Sequence, residues 1–532
     1  MLWTCRVLCS QAGPSAGGWK PLRFDGGAFH LKSTGELTRA LLVLRLCAWP
    51  PLVTHGLALQ AWSQRLLGSQ LSGAFLRASV YGQFVAGETT EEVRGCVQQL
   101  QSLGLRPLLA VPTEEEPDSA VKTGEAWYEG NLSAMLRCVD LSRGLLESPG
   151  PTGNILMQLK ITALMSTRLC KELTSRVRRP GGSLELSPER LAEAMDSGQD
   201  LQVSCLNVEQ TRHLQASLSR LHRVVQHARA QHVRLLVDAE YTSLNPALSL
   251  LVAALATRWN GPREGGPWVW NTYQAYLKDT YEQLRRDAEA ADRAGLAFGV
   301  KLVRGAYLDK EREVARLQGT EDPTQPDYKA TSQSYSRCLE LMLTQVSHRG
   351  PMCPLMVASH NEDSVHQATK RMWELGIPLD GPVCFGQLLG MCDHVSLALD
   401  GAWGSLSPKH QPTPCNYSPS RAGWLCCVQV HPLWLPGGSD PLPDPEGPGE
   451  PKRTAGCPQG TGTAQSRTSA EAAGAGPEGT PLAPPGLIRS IKVLSCCPGS
   501  CPVRKPPPWG RAHLDLSQPK LRGLCGSREI FR

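Results

Sequence analysis

Seven apolar runs of strand length recur between residues 106 and 388, and this recurrence constrains the fold more than any other feature of the chain. The runs are Arg106–Val111, Ile155–Thr162, His232–Asp238, Trp268–Tyr276, Phe298–Val303, Pro354–Ser359 and Pro382–Leu388. Between most of them lie helical patterns, clearest over Asn207–Ala230, Leu277–Ala294 and Asn361–Leu375, with apolar residues at helical spacing and charges opposite. Strand–helix alternation of this length implies a parallel sheet with right-handed crossovers. No glycine-rich dinucleotide turn follows a strand, so a (β/α)8 barrel is favoured over a doubly wound sheet. Seven units are one short of a closed barrel.

Composition divides the chain near residue 399. The 133 residues after it hold 22 of the 42 prolines and show almost no periodicity of 2 or 3.6 residues. A segment of that kind cannot bury a core, so residues 400–532 read as a disordered, low-complexity tail. The first 24 residues carry Arg6, Lys20 and Arg23 and no acid, which suits a mitochondrial transit peptide; residues 1–34 are accordingly set apart from a barrel domain over 35–399. The apolar run from Ala40 to Val53 is too short to span a bilayer and is broken by Arg45 and Pro50-Pro51. Net charge is +6 with the basic residues scattered, and no dense basic block interleaved with aromatics suggests nucleic acid. The nineteen cysteines are odd in number. Cys138, Cys170, Cys205 and Cys338 sit singly in helical patterns, as reduced core thiols do, and neither Cys426-Cys427 nor Cys496-Cys497 with Cys501 has the spacing of a zinc site.

A barrel keeps its chemistry at the C-terminal ends of its strands. Six of the seven runs end in polar residues there: Lys160, Asp238, Gln274, Lys301 with Arg304, His360 and Gln387. Cations, amides and one carboxylate in a ring fit an anionic cofactor with phosphates and a heteroaromatic ring. Neither a P-loop nor GxGxxG is present, so side chains and backbone amides at strand ends would have to hold it. Gly305 and Ala306 lack bulk and permit close approach.

The ordered segments FVAGET (84–89), LVDAEYTSLNPAL, NTYQAYLKD, GVKLVRGAYLDKER, MVASHNEDS and VCFGQLLGM resemble the proline dehydrogenases, FAD-dependent (β/α)8 barrels, over roughly residues 35–399. CFGQLLGMCDHVSLAL is similar to the animal branch, and within it the chain is most similar to the hydroxyproline dehydrogenases. The resemblance implies oxidation of proline or trans-4-hydroxyproline to a 1-pyrroline-5-carboxylate, with electrons passed to a quinone in the mitochondrion, in the matrix or peripheral to the inner membrane. It also implies roles, position by position. Lys160 would bind the imino acid carboxylate, Asp238 would belong to the same network, and Tyr307 would pack on the substrate ring. Gln274 would contact the flavin ring, and Lys301 would lie near flavin N5. Lys301, Val303, Arg304, Gly305 and Ala306 fall on the flavin-contacting strand, Ser359 and His360 match a Thr/Ser-His pair contacting FAD, and Gln387 joins the same cofactor ring. Asp238 reads as an orienting residue, since a secondary amine can lose its proton to solvent before hydride transfer.

The resemblance breaks after VSLAL, at Asp400. Family members continue into an eighth strand and a helix carrying RRxxEN, whose arginines clamp the substrate carboxylate; the tail has only Lys452-Arg453, followed by Thr454-Ala455-Gly456. An alternative C-terminus is therefore expected, with an open barrel, two exposed sheet edges and impaired substrate binding. Two readings compete with the dehydrogenase: an isoform without catalysis, and a Schiff-base lyase using Lys160 or Lys301.

Overall fold

The computed structural model describes residues 21–404 and 424–430, except residues 50, 53–54, 88, 112, 114–123, 147–154, 179–185, 198–200, 202, 205 and 379–380. Nine strands form one parallel sheet: β1 (Val85–Gly87), β2 (Arg106–Ala110), β3 (Ile155–Leu159), β4 (Val233–Val237), β5 (Val269–Gln274), β6 (Gly299–Val303), β7 (Leu355–Ala358), β8 (Val383–Leu388) and β9 (Trp424–Val430). Each of the seven sequence-derived runs contains one of β2 to β8. The helices used below are α1 (Thr34–Cys47), α2 (Gly56–Leu76), α3 (Glu125–Leu145), α4 (Val208–Ala230), α5 (Asn245–Trp259), α6 (Thr280–Arg293), α7 (Leu308–Gln318), α8 (Tyr328–Arg349), α9 (Glu362–Glu374) and α10 (Asp393–Gly404).

Burial alternates along the strands with the period of two that the pleat demands. Leu108, Ala110, Leu156, Leu236, Trp270 and Met356 meet inside the barrel. Leu109, Met157, Leu235, Val300, Leu302 and Val357 point outward into the larger core beneath the helices. Strands buried on both faces are why the sequence shows near-continuous apolar runs. Trp270 fills the barrel interior opposite Gly299 in register, and a Cβ at Gly299 would stand 2.5 Å from its ring. Helix starts are set locally: Asn207 and Gln210 form a capping box at α4, and the Asn361 side chain accepts from Ser364 N at α9.

The barrel is closed, which the sequence reading did not expect. β9 takes the eighth place. Its backbone pairs with β8 from Phe385↔Trp424 to Leu388↔Cys427 and with β2 from Arg106↔Leu425 to Ala110↔Gln429. β1 then covers the far end of β9, with Val85↔Gln429 and Gly87↔Val430. A ladder is built from backbone groups, so a seven-residue run of β-formers, WLCCVQV, suffices to pair both edges even among prolines and glycines. α10 also runs past Leu399 to Gly404. The rest of the tail, residues 405–423 and 431–532, lies outside the described residues, as do residues 1–20 and Cys205.

Residues 21–33, grouped by composition with the N-terminal extension, pack on the barrel. Leu22, Phe24 and Phe29 join the core, the Phe24 ring lies 4.7 Å from His366, and Lys32 pairs with Asp393 at the start of α10.

Candidate functional site

The polar strand ends converge at the C-terminal rim. Asp238, just past β4, sits between two lysines: Lys301 Nζ donates to Oδ1 at 2.8 Å, and Lys160 Nζ lies 3.6 Å from Oδ2. Lys301 is 8% exposed and projects from within β6, in register with Thr272 of β5 and Met356 of β7. Burial alone would raise the Asp238 carboxyl, but Lys301 and Lys160 outweigh it and hold the group below the ordinary carboxylate value. Asp238 is thus ionised at neutral pH and fixes two ammonium groups. Lys301 is the closer partner, and Lys160, less tightly bound, is the one better placed to meet another anion.

The loops around this triad are rigidly tied. Thr162, buried just after Lys160, donates to both oxygens of buried Glu240 at 2.8 and 3.0 Å. Glu240 N donates to Asn245 Oδ1 at 2.7 Å, and Asn245 Nδ2 donates to Gln274 Oε1 at 2.9 Å. Thr242 donates its backbone N–H and its hydroxyl to Glu311 of α7, at 2.7 and 2.6 Å. This cross-link brings the Tyr241 ring to 4.4 Å from Tyr307, so two phenol rings pair beside the triad. Below the Lys160 loop, buried Arg220 donates to Leu164 O at 2.6 Å and to Glu129 at 2.9 Å, and also pairs with Glu125.

The segment after β6 turns sharply. Gly305 has φ +138°, and a Cβ there would stand 1.7 Å from Cδ1 of Tyr276. The glycine is therefore required by the chain's own tyrosine, whatever else approaches that backbone. Arg304 lies over the Tyr328 ring at 4.6 Å and donates to Ser332 Oγ at 2.9 Å, and burial lowers its guanidinium from the usual value. Val303 and Arg304 are half-buried, and Gly305 and Ala306 are exposed at the rim.

On the β7–β8 side, Ser359 is buried and its Oγ accepts from Asn361 N at 3.1 Å. Leu388 N donates to His360 Nε2 at 3.0 Å, which assigns the ring proton to Nδ1. Burial first, then nearby His394, pushes His360 down to about 4. Gln387 donates to Ser359 O at 3.4 Å and accepts from Ser396 Oγ at 3.2 Å. All twelve residues singled out in the sequence thus fall along one rim, with Asp238, Lys160 and Lys301 in direct contact. Thr162, Glu240, Tyr241, Asn245, Glu311, Tyr328 and Ser332 were missed. Four of them lie within or beside LVDAEYTSLNPAL and LDKER, where polar letters inside a motif were the available signal.

Comparison with known proteins identifies the family. A family model described as proline dehydrogenase matches residues 147–414. Hydroxyproline dehydrogenase of Bos taurus is 91% identical over 402 residues, which cover 76% of this chain and 87% of that protein. Proline dehydrogenase 1, mitochondrial, of Homo sapiens is 30% identical over 485 aligned positions, covering 70% of this chain and 80% of that protein. Among solved structures, proline utilization A of Bdellovibrio bacteriovorus gives a TM-score of 0.49 at 16% identity, over 76% of this chain and 36% of that one. With a family model matching half its length and a relative 91% identical over three quarters of it, this chain belongs to the proline dehydrogenase family.

Proposed function

We propose that the chain oxidises hydroxyproline or proline to the corresponding 1-pyrroline-5-carboxylate, holds FAD at the barrel rim and passes electrons to a quinone in the mitochondrion. The observation that supports this most is the Lys160–Asp238–Lys301 triad beside the Tyr241–Tyr307 pair. The donor set suits such a cofactor. Lys301, Arg304, Gln274, His360 and Gln387 supply cationic and neutral donors around the rim, and the Asp238 carboxylate among them is already neutralised by two lysines. Bound FAD supplies the ring that accepts a hydride from the carbon next to the substrate nitrogen.

The chain's own residues do the rest. Lys160 holds the imino acid carboxylate. Asp238, ionised and pinned by Lys301, orients both lysines and serves as no general base, because a depressed carboxyl is a weak proton acceptor. Lys301 places positive charge where negative charge develops during hydride transfer. Tyr307, braced by Tyr241, covers the small ring and excludes water. The nitrogen loses its proton to solvent beforehand.

The missing RRxxEN helix favours a second reading, a barrel whose imino acid binding is weakened by loss of its arginine clamp, on the order of 2–5 kcal/mol for a buried charge partner. One experiment separates the two: the absorbance spectrum of the purified full chain, before and after anaerobic addition of trans-4-hydroxyproline or proline. Flavin bands that bleach are expected. A colourless protein overturns the cofactor assignment, and bands that never bleach favour the impaired barrel.

A further inference from the structure

Two side-chain amides meet at the barrel rim, and one backbone N–H decides which way both of them face. Gln274 ends β5, on the strand face that carries Trp270 into the barrel, and is 4% exposed. Asn245 opens α5, at the end of the connection that follows β4 and Asp238. The two ends of an amide are alike in size, so packing alone does not orient it; its hydrogen-bond partners do. The main-chain N–H of Glu240 can only donate, and it meets Asn245 at 2.7 Å, so the atom it meets is Oδ1. Nδ2 is then the other end, and it donates to Glu240 O at 3.1 Å and to Gln274 at 2.9 Å. A donor needs an acceptor. Gln274 therefore turns Oε1 towards Asn245 and leaves Nε2 for the barrel mouth.

The frame around this relay is stiff. Glu240 is buried, and the Thr162 hydroxyl donates to both of its carboxylate oxygens. Asn245 N donates to Tyr241 O at 2.9 Å, which fixes the start of α5 against the same connection. Gln274 is held at its own backbone, where the Thr280 hydroxyl donates to its carbonyl at 2.6 Å and Val303 of β6 pairs with it in register. Neither amide can reverse without leaving the Glu240 N–H facing another donor, which costs more than an ordinary hydrogen bond returns. Among the described residues, no acceptor meets Gln274 Nε2. A buried side chain with a fixed and unused donor is set up to receive an acceptor from outside the chain.

We propose that Asn245 is a positioning residue that tunes the cofactor: by occupying Gln274 Oε1 it makes Gln274 a hydrogen-bond donor to the flavin ring. This deepens the FAD reading above and rests on it. A reduced flavin ring carries more negative charge than an oxidised one, so a donor beside it favours reduction and an acceptor in the same place opposes it. The test is the two-electron midpoint potential of FAD bound to the full chain, from anaerobic titration against reference dyes, with FAD affinity measured by fluorescence quenching. Asn245→Leu should lower the potential by about 30 mV, a tenfold shift towards oxidised flavin and close to the worth of one hydrogen bond to a charged group. Gln274→Leu should lower it by a similar amount, and the double variant should fall no further, because Asn245 acts through Gln274. A purely structural Asn245 would weaken both oxidation states alike and leave the potential in place; that result overturns the proposal, as does a double variant whose two shifts add. Where circular dichroism shows Asn245→Leu unfolded, Asn245→Asp keeps an acceptor for Glu240 N–H. In mild alkali its second oxygen draws Gln274 Nε2 towards itself and turns Oε1 on the flavin, so the potential should again fall, and an unchanged value overturns the proposal. A full chain that takes up no FAD removes the cofactor reading and this proposal with it, whereas bound FAD with unmoved potentials removes the proposal alone.

Discussion

Acid should destabilise this barrel through one histidine, and the size of the effect follows from its surroundings. In the folded chain His360 is held neutral by burial, by His394 close by and by the Leu388 amide at 3.0 Å, so it titrates near 4 instead of 6.5. Between those values the unfolded chain carries the proton and the folded chain does not. Stability therefore falls as pH drops from about 6.5 towards about 4 and is fully retained above that window. The gap between 4 and 6.5, at about 1.4 kcal/mol per pH unit, amounts to about 3 kcal/mol. Between about pH 7 and about pH 4.5, short of the full window, about 2 kcal/mol of that is lost. His360→Gln keeps an acceptor for Leu388 N–H and cannot titrate. Urea unfolding followed by tryptophan fluorescence, at about pH 7 and about pH 4.5, should show the wild type losing about 2 kcal/mol more than the variant. Other groups titrate in both proteins and cancel in the difference. Parallel losses in the two proteins would refute the assignment of a neutral, amide-bonded His360.

Two further outcomes follow from geometry. Gly305→Ala should cost about 2–4 kcal/mol, from a disfavoured φ and a Cβ 1.7 Å from Tyr276, and Tyr276→Ala in the same chain should recover part of it; wild-type stability for the single variant would contradict this packing. Ending the chain after Val430 should leave a soluble barrel, whereas ending it before Trp424 should expose the β2 and β8 edges and drive aggregation, as read by size-exclusion chromatography.

How far the sequence carried depended on which force fixed each part. Strands β2 to β8 were legible because each is buried on both faces, which forces long apolar runs that polar flanks delimit. The rim residues were legible because a lysine or aspartate at the end of such a run has no packing role, so Lys160, Asp238 and Lys301 stood out against their strands. Glu311 and Asn245 did not, because each lies on a helix where a polar residue is ordinary, and its partner is distant in sequence: Thr242 precedes Glu311 by 69 positions, and Gln274 follows Asn245 by 29. β9 was missed for a different reason. The closing strand is selected by two free edges already in place, so it needs only backbone pairing and a short β-forming run, and such a run carries no period strong enough to stand out among prolines. The same logic bears on activity. A substituted eighth strand can restore the ladder, because ladders are generic, whereas the arginine clamp that the family resemblance implies needs particular side chains, and the sequence after Asp400 contains no RRxxEN. Closure and the proposed catalysis are thus separable in this chain: the barrel's closure rests on residues 424–430, while the proposed chemistry rests on Lys160, Asp238 and Lys301.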